Sequence, residues 1–427
     1  MTTMQKNNGL KIATCPACGL LCDDIGVDSI TGKLENGHCE KSAKFFLEGF
    51  AASADATVKG KKVEIDAAIQ TAADILKNSH QPLFAGLGME VTGMRAVIDL
   101  AKKANATLDH MHSEGTVNNT LSMQNIGYQT TTMTEVKNRA DVIVAIGTDI
   151  VSSTPRFFEK LVWNQESLFN KPVPEVIFLG GTENEAIKAA TTPDGKKPTV
   201  IEVEKASLPE VVNVLNALLN SKNPIHKKSS NEKIAGVSLE TLKNLVEKLQ
   251  KAQYGVVVWS ASSLKAIPQA ELVTQSIIKF INELNETNRV AGLPLNSGDG
   301  DTTVNNTSTW VTGYPTRNRF VNGAPSYNAH AFSTKKQLKT CDALLWISTF
   351  NATSTPQTDA PTIVIGHPNT TFETSPDVFI PVAIPGIHQG GSMFRMDSSV
   401  TLPLKKLTDT TLPTLASVLQ KIESLLA

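Results

Sequence analysis

The sequence predicts an α/β protein headed by a small cysteine-bearing segment, and three observations predict it. Short runs rich in Val, Ile and Leu recur along the 427 residues, most of them ending in or near glycine. Stretches with a helical apolar period separate them. Four of the five cysteines fall in the first 39 residues. Strands that are apolar on both faces and alternate with helices belong to parallel sheets covered on both sides.

In chain order, the strand candidates are QPLFAGLG (81–88), ADVIVAIG (140–147), PEVIFLGG (174–181) and PTVIEVE (198–204). QYGVVVWSAS (253–262), CDALLWIS (341–348), PTIVIG (361–366) and VFIPVA (378–383) continue the series. Helical period marks 65–79, 94–105, 238–252 and 268–284. Two polar, Pro/Ser/Lys-rich stretches, 167–176 and 219–233, read as loops, the second as a separator between halves of the chain. The stretch 292–331, rich in Gly, Asn, Thr and aromatics, reads as a long binding loop.

The formal net charge of −1 leaves no footprint for nucleic acid or an anionic membrane surface. No apolar run approaches the roughly 18 residues of a membrane span. The opening MTTMQKNNGLK lacks the apolar core of a signal peptide, so cytoplasm is the expected compartment. Thiols stay reduced there, and a cysteine cluster reads as metal or redox chemistry rather than as disulfides.

Cys15, Cys18, Cys22 and Cys39 follow a C-x2-C-x3-C-x16-C pattern. Structural zinc usually takes paired CxxC knuckles. Three clustered ligands and one distant ligand suit a [4Fe-4S] cluster, whose corners a single loop can wrap. Zinc remains the alternative. Cys341 precedes an apolar strand and reads as a core thiol. There is no GxSxG, HExxH or GxxxxGK[ST] motif. Asp141, flanked by Lys137 and Arg139, reads as a structural ion pair. Arg395 beside Asp397 reads equally as an ion pair or an anion anchor. His110 and His112, alternating in a polar stretch, read as a solvated loop.

The blocks CPACGLLCDDI (15–25), IGYQTTTMTEVKNRADVIVAIGTD (126–149) and STPRF (153–157) resemble the B subunit of formylmethanofuran dehydrogenase. So do TWVTGYP (309–315), GAPSYN (323–328) and VFIPVAIPGIHQGGSMFRMD (378–397). The resemblance runs nearly end to end. It implies a small N-terminal iron–sulfur-type domain (1–55) and two interleaved doubly wound α/β domains of the molybdopterin oxidoreductase type. These would cover 56–160 with 330–427, and 161–329, with no C-terminal barrel. It also implies two pterin–guanine dinucleotides, carrying tungsten or molybdenum, between the domains. Gly86, Gly88, Gly147, Asp149, Gly180, Gly181 and Arg395 are the expected contacts, mostly at strand ends.

One family residue is missing. The cysteine that ligates tungsten or molybdenum in the family corresponds, counted back without gaps, to Gly115, and the histidine after it to Thr116. Glycine has no side chain to coordinate a metal, and Thr does not shuttle protons near neutral pH. This argues against a loaded tungsten or molybdenum bis-pterin. His112, Ser113 and Glu114, all within three residues, are the candidate substitute ligands.

A related assembly in methylotrophic bacteria, a formyltransferase–hydrolase complex, explains such a loss. It moves a formyl group from tetrahydromethanopterin to a methanofuran-type amine and hydrolyses it to formate, with both sites in other subunits. The resemblance therefore implies a scaffold whose partners are the other subunits of that complex. The alternative is a molybdo- or tungsto-pterin formylmethanofuran (formate) dehydrogenase subunit with a substitute ligand.

Overall fold

A computed structural model describes residues 9–164, 166–181, 184–296 and 298–426. The chain divides into two compact units, Met1–Ser113 with Gly298–Ala427, and Glu114–Ser297. Both are mixed α/β, and among the described residues no sheet closes into a barrel. No described helix is long and apolar enough to cross a membrane.

The first unit is built on a nine-stranded sheet. Its centre is Pro82–Gly88, Ala343–Ser348, Thr362–Gly366 and Val378–Pro381, all parallel. These strands are buried on both faces, as their unbroken apolar runs require. Phe84, Leu345 and Ile363 point to a core shared with the helices Ile65–Lys77, Val91–Ala104 and Leu415–Leu425. Leu83, Leu344 and Val364 point the other way into a second cluster, where Cys341 is partly buried. Each fully buried Leu or Ile contributes about 1.5–3 kcal/mol. The sheet ends on one side in Lys61–Lys62 and on the other in a hairpin, Asn318–Val321 and Ala324–Tyr327. The hairpin turns on Asn322 and Gly323, both at positive φ, as a type I′ turn demands. Two smaller antiparallel hairpins, Leu10–Ala13 with Ile25–Asp28 and Gly391–Phe394 with Thr401–Leu404, complete the unit.

The second unit carries a five-stranded parallel sheet in the order Val290–Leu295, Gly255–Ser260, Val142–Ile146, Glu175–Leu179, Thr199–Ile201. From Val142–Ile146 the chain builds outward to Thr199–Ile201, then returns to the other side at Gly255–Ser260. The order thus reverses between Val142–Ile146 and Gly255–Ser260.

All eight strand candidates are strands. The breaks between units fall elsewhere than the expected 160/161 and 329/330. Val142–Ile146 pairs with strands of the second unit on both sides, and Asn318–Tyr327 extends the sheet of the first. The N-terminal 55 residues cluster with the first unit rather than apart from it. The stretch 219–233 lies inside the second unit and separates nothing. The supposed long loop 292–331 is largely ordered: it ends one strand, then forms the helix Asp301–Thr312 and the hairpin.

Candidate functional site

The cysteine segment loops out of the N-terminal hairpin. Cys15 follows the first strand, and its N–H donates to the Cys22 carbonyl at 2.8 Å. Leu21 turns through positive φ between Cys18 and Cys22. Cys39 caps the helix Glu40–Phe50: its N–H donates to Ser42 Oγ at 2.8 Å, and that hydroxyl lies 3.6 Å from Cys39 Sγ. The loop is tied to the body of its unit by Met396 N–H donating to the Gly19 carbonyl (3.0 Å) and Lys405 Nζ to the Ile12 carbonyl (2.8 Å).

Burial raises the Cys15 thiol pKa well above the usual range, and the neighbouring Cys18, Cys22 and Cys39 push it further the same way. The four thiols are thus gathered within reach of one another's field. Among the described residues, no three His, Cys, Asp or Glu side chains stand at metal-ligand distances. The donor set still fits an iron–sulfur cluster or zinc. A cation there would reverse the penalty on the thiolates, because it stabilises the charge their mutual repulsion opposes.

In the same unit, the segment after Thr107–Leu108 is a dense polar network. Asp109 is fully buried; its Oδ2 accepts from Thr334 N–H (2.6 Å) and Oγ1 (2.8 Å), and Oδ1 lies 3.6 Å from Arg317 Nε. Burial raises the Asp109 pKa, and the guanidinium opposes the rise. Arg317, itself buried, donates to Ser113 Oγ through Nη2 (3.1 Å) and to the Ala329 carbonyl through Nη1 (2.5 Å). His112 Nε2 donates to Asp299 Oδ2 at 2.9 Å, and Asn351 donates to the other oxygen.

His110 is not in a solvated loop. It is 1% exposed, accepts the His112 N–H at Nδ1 (3.1 Å) and donates through Nε2 to the Asp299 carbonyl (3.2 Å). Burial, then the charge of His112, lowers its pKa to about 4. Burial opposes ionisation of Asp299, but the hydrogen bonds from His112 and Asn351 and the two imidazoles outweigh it and hold its pKa low. Asp299, Asn351 and Arg317 escape a reading of the sequence because their partners are remote in the chain. Asp299 lies 187 residues from His112, and Arg317 lies 204 from Ser113. The GDGD run at 298–301 is the one local signal.

Gly115 lies in the second unit, in the first turn of the helix Ser113–Ile126. A Cβ there would sit 3.1 Å from the carbonyl carbon and oxygen of Ala261 and 3.3 Å from Ser262 N. Ala261 directly follows the strand Gly255–Ser260, so this turn packs against the strand end beside which the strand order reverses. Open parallel sheets generally accept ligands in that crevice. Asn119, one turn further on, accepts from Trp259 Nε1 at 2.9 Å and fixes the helix there. Glu114 is exposed.

No family model matches the chain. It is 26% identical, over 93% of both chains, to the B subunit of the tungsten-containing formylmethanofuran dehydrogenase 2 of Methanococcus maripaludis. It is also 26% identical to the B subunit of the formyltransferase/hydrolase complex Fhc of Methylorubrum extorquens, over 80% of this chain and 88% of that one. The chain is thus similar, over most of its length, to B subunits of both assemblies. Its fold matches a chain in the crystal structure of the M. extorquens FhcABCD complex with methylofuran, with a TM-score of 0.71 and 24% identity. That match covers 87% of this chain and 98% of the other.

In this chain the fold itself uses most of the strand-end residues expected at a cofactor. A Cβ on Gly86 would lie 2.6 Å from the Ile347 carbonyl, and one on Gly88 would lie 3.3 Å from Met111 and Ser348. Gly147 is closed by Leu208 at 2.7 Å, and Gly180 packs on the Gly147 backbone at 3.4 Å. Gly181 alone among them faces open space. Asp149 caps its own turn through Ser152 (2.6 Å). Arg395 holds Asp397 with two parallel contacts of 2.9 and 2.7 Å. Gly86, Gly88 and Arg395 belong to the first unit; Gly147, Asp149, Gly180 and Gly181 belong to the second. Asp141 makes no ion pair with Lys137 or Arg139, which turn to Glu166 and Glu135. It instead accepts from the N–H groups of Gln253 (2.7 Å) and Tyr254 (2.9 Å), seating the strand that follows them.

Proposed function

We propose that this chain is the B subunit of a formylmethanofuran dehydrogenase-like formyltransferase/hydrolase complex in tetrahydromethanopterin- and methanofuran-linked one-carbon oxidation. In it the chain is a scaffold that has lost the tungsten or molybdenum ligand, and its partners are the other subunits. The observation that carries this reading is Gly115. It offers no donor, and the backbone of Ala261 and Ser262 occupies the space a side chain there would enter first. A tungsten or molybdenum centre therefore does not fit at this position. Two of the neighbouring substitutes are committed as well: His112 to Asp299, and Ser113 to Arg317. Relatives of this size in both groups support membership of such a complex.

The quartet Cys15, Cys18, Cys22 and Cys39 would hold a [4Fe-4S] cluster or zinc, tying the first 50 residues to the body through four strong bonds. When bound, a cluster would supply electron transfer, for which the scaffold reading has no use, so its role there is structural. Retention of all four thiols favours the second reading, an active bis-pterin enzyme with a substitute ligand. Metal analysis of the anaerobically purified complex separates the two. About four irons or one zinc per chain, with no pterin, tungsten or molybdenum, is the expected result. Stoichiometric tungsten or molybdenum with pterin would overturn it.

A further inference from the structure

One loop of the second unit holds apolar side chains out in solvent while being fixed at its base. Leu168 is 81% exposed, Val173 67% and Phe169 49%. Isolated exposed apolar residues are ordinary, but three within six positions are not. The loop is nevertheless pinned. Leu168 N–H donates to Asn138 Oδ1 (2.8 Å), Ser167 Oγ to the Asn138 carbonyl (2.9 Å), and Lys171 N–H to the Phe169 carbonyl (2.8 Å). The Arg139 guanidinium lies 4.8 Å over the Phe169 ring. The Asn138 and Arg139 anchors sit at the end of the helix Met133–Arg139.

Val173 also lines a cleft of about 260 Å³ whose wall includes Trp163, Lys196 and Lys197. Among the described residues, Lys171, Lys196 and Lys197 make no ion pair, and Lys171 Nζ reaches only the Val136 carbonyl (3.3 Å). Of the nearby carboxylates, Glu175 is paired with Lys248 and Glu166 with Lys137, whereas Asp194 meets only the Thr192 hydroxyl and Asp141 acts on Lys171. The patch is therefore an ordered apolar knob beside two exposed lysines, Lys196 and Lys197, that make no ion pair among the described residues. Burial pushes the Lys171 amine down to about 8, against the opposing pull of the Asp141 charge.

We propose that this knob docks into another protein of the complex, whose surface offers an apolar recess for Leu168, Phe169 and Val173 rimmed by carboxylates that face Lys196 and Lys197. The inference rests on the reading of this chain as part of a complex. Pre-ordering lowers the entropy that association must overcome, and central aromatic and aliphatic anchors carry most of the affinity of an interface. The lysine rim sets the orientation and the rate of encounter.

The test uses the complex itself, with the tagged chain co-expressed with the subunits encoded alongside it. Wild type, L168S/V173S and K196E/K197E are compared for subunit retention and affinity. The apolar pair should weaken retention of one subunit roughly tenfold or more. The charge reversal should weaken it at low salt and lose most of that effect at high salt. Both variants alone should melt with wild type, since the altered side chains are exposed. Unchanged affinity in either variant overturns the proposal. So does a dimer of the chain alone that L168S/V173S splits, which would make a second copy the occupant. If wild type retains no partner at all, the reading of the chain as part of a complex itself fails, before any variant is compared.

Discussion

Gly115 and Ala261 are in backbone contact: a methyl group on Gly115 would stand 3.1 Å from the Ala261 carbonyl. The neighbour is main chain, which cannot swing aside as a flexible side chain would. Replacing Gly by Ala inside a helix ordinarily gains up to about 1 kcal/mol. Overpacking costs about 1–3 kcal/mol. Packing wins, and Gly115→Ala should destabilise by about 1 kcal/mol in urea unfolding. Gly115→Cys should do the same and recover no tungsten or molybdenum, read by elemental analysis of the complex. Metal recovery would mean the crevice is intact.

Arg317 is buried with Asp109 and serves Ser113 and the Ala329 carbonyl as well. Truncating one member of such a pair leaves a buried charge without compensation, which costs about 3–5 kcal/mol. Arg317→Ala should fall in that range, and Arg317→Ala with Asp109→Asn should recover part of it. Equal losses in the single and double variants would show that the two side chains are not coupled.

Acid should destabilise the fold by forcing its buried histidines to charge. His110 and His367 are buried, and burial lowers each pKa to about 4, aided by a second histidine in each case. In the unfolded chain both titrate near 6.5. Below that pH the unfolded chain binds protons that the folded chain refuses, so stability falls as pH drops from about 6.5 to 4. The slope is about 1.4 kcal/mol per pH unit for each histidine. Asp299, whose pKa is held low, adds its loss only beneath this window. Unfolding free energies at pH 7, 6 and 5 measure the slope, which His388 steepens and Asp109 and Glu90, raised by burial, offset; His110→Gln should make it shallower.

The cysteines divide into two classes. Cys39→Ser should lower iron or zinc per chain and expose the first 50 residues to limited proteolysis. Cys341→Ser, at a partly buried position beside the second core cluster, should change neither. Equal loss from both would remove the case for a metal-binding quartet.

Much of the sheet architecture was readable from the chain because buried parallel strands need unbroken apolar runs, and each candidate run is a strand. The helix Asp301–Thr312 was not, since DTTVNNTSTWVT is made of weak helix formers with little apolar period. Its burial within the first unit, through Thr303, Val304 and Thr307, overrides propensity. The Asn322–Gly323 turn was a legible hairpin signal, masked by the polar composition around it. At the site, the cysteine spacing and the missing donor at Gly115 were visible in sequence. The ties that hold 109–113 were not, because they are made across the fold by Asp299, Arg317 and Asn351.

The two edges of the nine-stranded sheet carry a further consequence. One edge is only two residues long, and both are lysines, Lys61 and Lys62. The other, Ala324–Tyr327, includes Pro325, which has no N–H to offer an incoming strand. Both margins therefore discourage edge-to-edge strand pairing between copies. Copies of this chain are thereby hindered from adding to one another strand by strand.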